Sequence, residues 1–228
     1  MYEITHLKYN CKYFLKNGGH IILFSFLLYY MKNDFNLSMY IYLKWFSYNY
    51  HYWFSHSNSE LKLYKWKHMV RLTDSGHIAN FIFYFNPSFL PIAHNVLFVI
   101  TILYHGTTYF LNMKDLDRIE NDEINPTLQN IHDHLNHIAP YCIVVYSMYE
   151  SKRDEMCYYE FNDNTYWYSA LWINVWFMFV YIPWVYNTGD YLYSILDEKS
   201  PLMVKGGVII SSLLIVFIAN QIGIFIHE

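Results

Sequence analysis

Charge is scarce in this 228-residue chain: 15% of residues are Asp, Glu, Lys or Arg against 54% hydrophobic. That is too little charge to dress the surface of an ordinary soluble domain of this length. Cysteine occurs three times, at Cys11, Cys142 and Cys157. These form neither a CxxC pair nor an even set, which excludes a disulfide framework and a thiolate zinc site. Eight glycines make no phosphate-binding loop, and no nucleophile elbow or HExxH motif is present. No apolar segment carries paired carboxylates for a proton path. Arginine is rare, the net charge is −4 and the basic residues are dispersed, so the chain has no electrostatic footprint for nucleic acid. No catalytic set and no metal motif emerges.

What is abundant is aromatic: 25 Tyr, 17 Phe and 7 Trp. Rings with a polar handle suit membrane interfaces, and they hold the mean hydropathy to +0.07 although long apolar runs are present. The excess of Phe, Tyr and Ile, with few Gly, Ala, Arg and Pro, follows AT-rich codons. In composition the chain resembles the membrane subunits encoded inside protist mitochondria with AT-rich genomes. The start, "MYEITHLKYNCKYFLKNGGHIILFSFLLYYMK", has a basic region and an apolar core without a small-residue cleavage site. An uncleaved N-terminus and synthesis inside the compartment of residence are therefore expected.

A spanning helix needs roughly 20 apolar residues, because a hydrocarbon core of about 30 Å is crossed at 1.5 Å per residue. Ser75 to Met113 lacks Asp, Glu, Lys and Arg for 39 residues, Asn164 to Gly189 for 26 and Gly206 to His227 for 22. Pro87 and Pro91 divide the longest of these, leaving a full span after Ala93 and a short piece, 78–89, expected to be interfacial or re-entrant. The expected architecture is an all-α, polytopic transmembrane bundle in a single membrane domain. It has about six spans, at 17–31, 37–54, 93–113, 134–149, 164–186 and 206–227. Placing both termini on the inner (matrix) side puts nine basic residues inside and five outside, with Lys44 within a span. Residues 114–130 then form an acidic outer loop. Gly207 and Ser211, four apart, have the small-xxx-small spacing that lets helices approach closely, and the deep Asn220 and Gln221 require partners.

Histidines at membrane depth carry the remaining chemistry, since imidazole ligates haem iron, moves protons and hydrogen-bonds quinone carbonyls. His51, His94, His105, His134 and His137 are the candidate haem- or quinone-binding residues. His51 and His94 are expected near the inner surface. His134 and His137 share a helix face at the outer mouth of the fourth span, with Asp133 placed either to orient His137 or to cap a helix beginning there. His105 is expected eight residues below the outer end of its span, about 12 Å deep, out of reach of that pair unless the helix breaks near Gly106.

The segment "LYHGTTYFLNMKD" resembles a helix end in the membrane anchors of succinate dehydrogenase. By that resemblance His105 would ligate haem and Asp115 would lie near the quinone. The segment "TYWYSALWINVWFMFVY" is similar to an aromatic helix of cytochrome oxidase subunit three. The sequence thus points to a non-catalytic subunit of a respiratory-chain complex in the mitochondrial inner membrane, contacting other membrane subunits and lipids. A haem- or quinone-binding anchor is one alternative. A channel or carrier, motivated by Lys44, Asn220 and Gln221, is another.

Overall fold

The computed structural model describes residues 70–110, 126–153 and 159–227, all within the folded unit Trp66–Glu228. The spans expected at 17–31 and 37–54, with Lys44 and His51, lie outside the described residues, as does most of the loop 114–130. Every regular element among the described residues is helical.

The first helix, α1, runs Leu72–Phe85. Its N-terminal Leu72 N–H donates to the Tyr193 hydroxyl at 2.9 Å, satisfying one of the donors a helix start leaves open. Asn86, in extended backbone, stops it, and its Oδ1 accepts from Ser88 N at 3.3 Å. Pro87 opens a 3-10 turn, Pro87–Phe89, that leads directly into α2, Leu90–Phe110. Pro91 falls in the first turn of α2, where a missing N–H costs nothing. The prolines therefore divide the long apolar window as the sequence predicts. The short piece starts at Leu72 rather than Ile78, and its 14 residues, about 21 Å of helix, do not cross a bilayer alone.

The centre of the fold is α2, packed against α1, α3, α4 and α6 (below). Ala93, Val96, Leu97, Val99 and Ile100 are all buried, and so are His94 and Asn95 on the other side, so this part of α2 is enclosed around its whole circumference. Gly76 lets α1 approach it closely: a Cβ there would lie 2.9 Å from Leu97 Cδ2 and nearer still to Ile100.

The next helix, α3, runs Pro126–Arg153 and passes through Pro140 without ending. The sequence suggested Asp133 as its cap. The helix begins seven positions earlier instead, on a proline whose fixed φ and missing N–H suit a first helical position.

The following helix, α4, Asp163–Trp176, opens on a capping box. Asn162 Oδ1 accepts from Asn164 N at 2.9 Å and Thr165 N at 3.2 Å, and Thr165 Oγ1 accepts from Asn162 N at 3.2 Å. It continues through a π-helical turn, Phe177–Tyr181, into α5, Ile182–Thr188. The widened turn sits immediately before Pro183, whose ring would otherwise meet the carbonyl one turn back. Gly189, with φ 69°, ends α5 in the left-handed conformation that glycine adopts without strain. The last helix, α6, runs Leu202–His227.

Three helical stretches are long and apolar enough to cross a membrane: Pro87–Tyr109, Asp163–Thr188 and Leu202–His227. They overlap the spans expected at 93–113, 164–186 and 206–227. The fourth described expectation, 134–149, lies inside α3, which has the length to cross but a more polar composition. Lys152 Nζ donates to the carbonyls of Ile226 at 3.1 Å and His227 at 3.5 Å. The C-terminal ends of α3 and α6 therefore share one end of the bundle, a cation meeting the negative end of a helix dipole.

Close approach in α6 falls elsewhere than its small-xxx-small pair. A Cβ on Gly207 would meet nothing within 4 Å, whereas one on Gly223 would strike the buried Phe161 ring. Gly223→Ala should therefore cost about 1–3 kcal/mol by overpacking. Gly207→Ala should be neutral or slightly stabilising, since alanine is the better helix former. Thermal unfolding of the two variants in detergent compares them directly.

Candidate functional site

One buried polar constellation ties four helices together. On α2, Asn95 Nδ2 lies 3.0 Å from Ser169 Oγ of α4 and 3.0 Å from Asn220 Oδ1 of α6. Asn220 Oδ1 also accepts from Thr165 Oγ1 at 2.6 Å, and its Nδ2 donates to Asn162 O at 3.1 Å. Next to Asn95, His94 places Nδ1 3.0 Å from Asn95 Oδ1 and Nε2 3.3 Å from the Tyr141 hydroxyl of α3. A neutral imidazole with its proton on Nδ1 satisfies both contacts at once. His94, Asn95, Ser169 and Asn220 are all buried. His51, expected with His94 near the inner surface, lies outside the described residues.

The second constellation is a stack of rings between α2 and α3. Tyr104 lies face to face with His137, centroids 3.6 Å apart at 4°. His105 and His134 are parallel at 5.4 Å, and Tyr109 stacks on His134 at 5.6 Å. Thr101 Oγ1 donates to the His137 carbonyl at 2.6 Å, so a side chain of α2 grips the backbone of α3 near Pro140, the residue that brings no N–H to the helix.

This arrangement corrects the expectation that His105 lies too deep for His134 and His137. No break at Gly106 is needed, because α2 is helical through Phe110. The error was in the start of α3: beginning at Pro126 puts His134 eight residues, about 12 Å, into its helix, matching the depth expected for His105. His105 Nε2 and His134 Nδ1 are buried without a hydrogen-bond partner among the described residues. The rings stack instead of converging on one point, and no group of three metal-ligating side chains is found among the described residues. What the cluster offers chemically is stacked π-surface and imidazole nitrogens.

Tyr104 and His137 also border a cavity of about 510 Å³ between α1, α2, α4 and α6. At one end lie Trp176, whose Nε1 donates to Val70 O at 3.0 Å, and Tyr193. Trp172, one turn before Trp176, donates from Nε1 to Ser75 Oγ of α1 at 2.8 Å. Arg71 lines the same end of the cavity, and Asp74 follows in the first turn of α1. Burial pushes the Asp74 carboxyl up to about 7, against the pull of Arg71.

Of the sequence-derived site residues, the structure brings together His105, His134 and His137, and keeps His94 in a separate network. Asn220 has the partners the sequence demanded, so of the residues behind the channel expectation it is buried and bonded at both amide atoms, while Gln221 is exposed. Asn95, Thr165 and Ser169 were missed. The i, i+4 spacing of Thr165 and Ser169 in an otherwise aromatic helix was the available signal. Comparison with models of protein families, with curated proteins and with solved structures finds no match to this chain.

Replacing Asn220 by Leu should leave one Nδ2 proton of Asn95 without its acceptor, costing about 1–3 kcal/mol, and lower the unfolding midpoint far more than Gln221→Leu. Asp74 makes a pH prediction. Its folded pKa, about 7, lies above its ordinary 3.8, so folding is favoured by its protonated form. Stability should fall as pH rises from 4 towards and past about 7, and Asp74→Asn should flatten that part of the profile; an unchanged slope in the variant would refute the assignment.

Proposed function

We propose that this chain is a non-catalytic integral membrane subunit of a mitochondrial respiratory-chain complex, acting through helix packing and contacts with other membrane subunits and lipids. The observation that carries the membrane reading is the outward face of α6. Only 17% of its most apolar stretch is buried inside the protein, and Met203 and Phe225 are 89% and 79% exposed. A 26-residue helix, about 39 Å long, with such a face requires hydrocarbon or another apolar surface around it. The α4–α5 stretch, 28% buried, repeats the pattern, with Trp167, Phe179 and Tyr186 turned outward. The AT-rich composition, rich in Tyr, Phe and Ile, supports a mitochondrial genome as the source, and the mitochondrial inner membrane as the location.

The ring stack favours a second reading, a haem- or quinone-binding anchor, because His105, His134 and His137 meet on facing helices. The two readings separate in one preparation. Native membranes extracted in mild detergent should carry the chain in a large assembly that resists alkaline washing of the membrane. Migration as a lone small species would remove the subunit reading. A Soret band that follows the isolated chain and shifts in His105→Ala would replace it with the anchor.

A further inference from the structure

Several of the polar side chains lining the cavity beside the ring stack are engaged with the protein. Thr107 Oγ1 donates to Leu103 O at 2.8 Å, Ser212 Oγ to Ile209 O at 2.7 Å and Asn174 Nδ2 to Ala170 O at 2.7 Å. Trp176 Nε1 is held by Val70 O, and the Tyr193 hydroxyl by Leu72 N. Apolar atoms make up most of what faces the space. At about 510 Å³ it lies in the size range of small-molecule sites. Most of its walls belong to the three stretches long and apolar enough to cross a membrane. Among its lining residues Arg71 alone carries a permanent charge, and a guanidinium recognises phosphate by paired N–H donors.

We infer that this cavity is a phospholipid site, in which an acyl chain fills the space between α2, α4 and α6 and the phosphate group meets Arg71. The inference rests on the membrane reading above. A quinone needs donors for carbonyl oxygens at opposite ends of its ring, whereas the walls away from Arg71 are mostly carbon, and an acyl chain needs no donor there. Glycine supplies the room. Gly106 of α2 and Gly207 of α6 both line the cavity, and a Cβ at either meets nothing within 4 Å. A larger side chain at Gly207 therefore has space to enter without displacing protein.

The test uses the full chain in native membranes, loaded with a phosphatidylcholine carrying a photoreactive diazirine on its acyl chain, followed by peptide mapping of the adducts. Label is expected on the cavity walls near Gly106 and Ser212, as well as on the outward face of α6 at Phe217 and Phe225. Gly207→Phe should lose the cavity adducts and keep the outward ones, with its unfolding midpoint showing that the variant folds. Arg71→Gln should weaken cavity labelling by phosphatidylcholine and leave that by a diazirine fatty alcohol unchanged.

Labelling of the outward face without the cavity, or cavity labelling that survives Gly207→Phe, overturns the lipid site and leaves the membrane reading standing. Labelling of neither overturns both. Preferential capture of a photoreactive quinone in the cavity replaces the phospholipid. Chemical cross-links from residues 1–69 to the cavity walls, in place of lipid adducts, would show that the chain fills the space itself.

Discussion

The fold hangs on the carboxamide of Asn220. Two primary amides, Asn95 and Asn220, meet at 3.0 Å in the interior, and around them Thr165, Ser169 and the Asn162 carbonyl complete the bonding. In a low-dielectric interior each of these groups is costly when unpaired, so the helices must hold the one axial register that pairs them all. Apolar contact has no such preference: a helix like α6, lined with Ile, Leu and Val, slides past a neighbour with small loss. Asn220 removes that freedom. It fixes α6 against α2 and α4 together, and the capping residue Asn162, by giving its carbonyl to Asn220, ties the start of α4 to the same point.

The same junction explains why α2 can be central. A helix surrounded on most sides cannot choose its neighbours by hydrophobicity, since almost every face is apolar. Polar contacts at two levels choose them instead. Near its start, His94 and Asn95 select α3, α4 and α6. About two to three turns further on, Thr101 and the Tyr104–His137 stack select α3 again. Two separated contacts between α2 and α3 set a crossing angle as well as a position. That is how Pro140 is tolerated: the helix carrying it is held on both sides of the proline by residues of α2.

Much of this was legible in sequence, and the failures have a common cause. Long charge-free windows located the three apolar helices, and Pro87 with Pro91 located the break between α1 and α2. The demand that Asn220 find a partner was met. What misled was the treatment of polar residues as helix ends. Asp133 was read as a cap because it precedes histidines and an apolar run, yet Pro126 starts that helix and the polar residues ride within its first turns. From that single displacement followed the wrong depth for His134 and the separation of His105 from its neighbours. The spacing of Gly207 and Ser211 failed differently. It describes a surface smooth enough for close approach but not whether a partner approaches, and here the approach occurs at Gly223.

Glycine thus serves two opposite ends in one bundle. At Gly76 and Gly223 the missing side chain is replaced by a neighbour's: Leu97 and Ile100 in one case, Phe161 in the other. At Gly106 and Gly207 nothing takes its place, and both positions border the same cavity. Gly207 is exposed and Gly106 half-buried, so the space they border opens towards the protein's surface. The void also lies where α4 gives way to the π turn, beside Ile173, Trp176 and Phe177, which places it at the one irregular turn in the α4–α5 stretch. A straight α4 would be forced into conflict with Pro183, and the widened turn that avoids this shifts the register of every side chain after it. Small residues on α2 and α6, and a register shift on α4, are independent features of the sequence. Their coincidence at one site ties the position of the space to the glycines of α2 and α6 and to the π turn after α4.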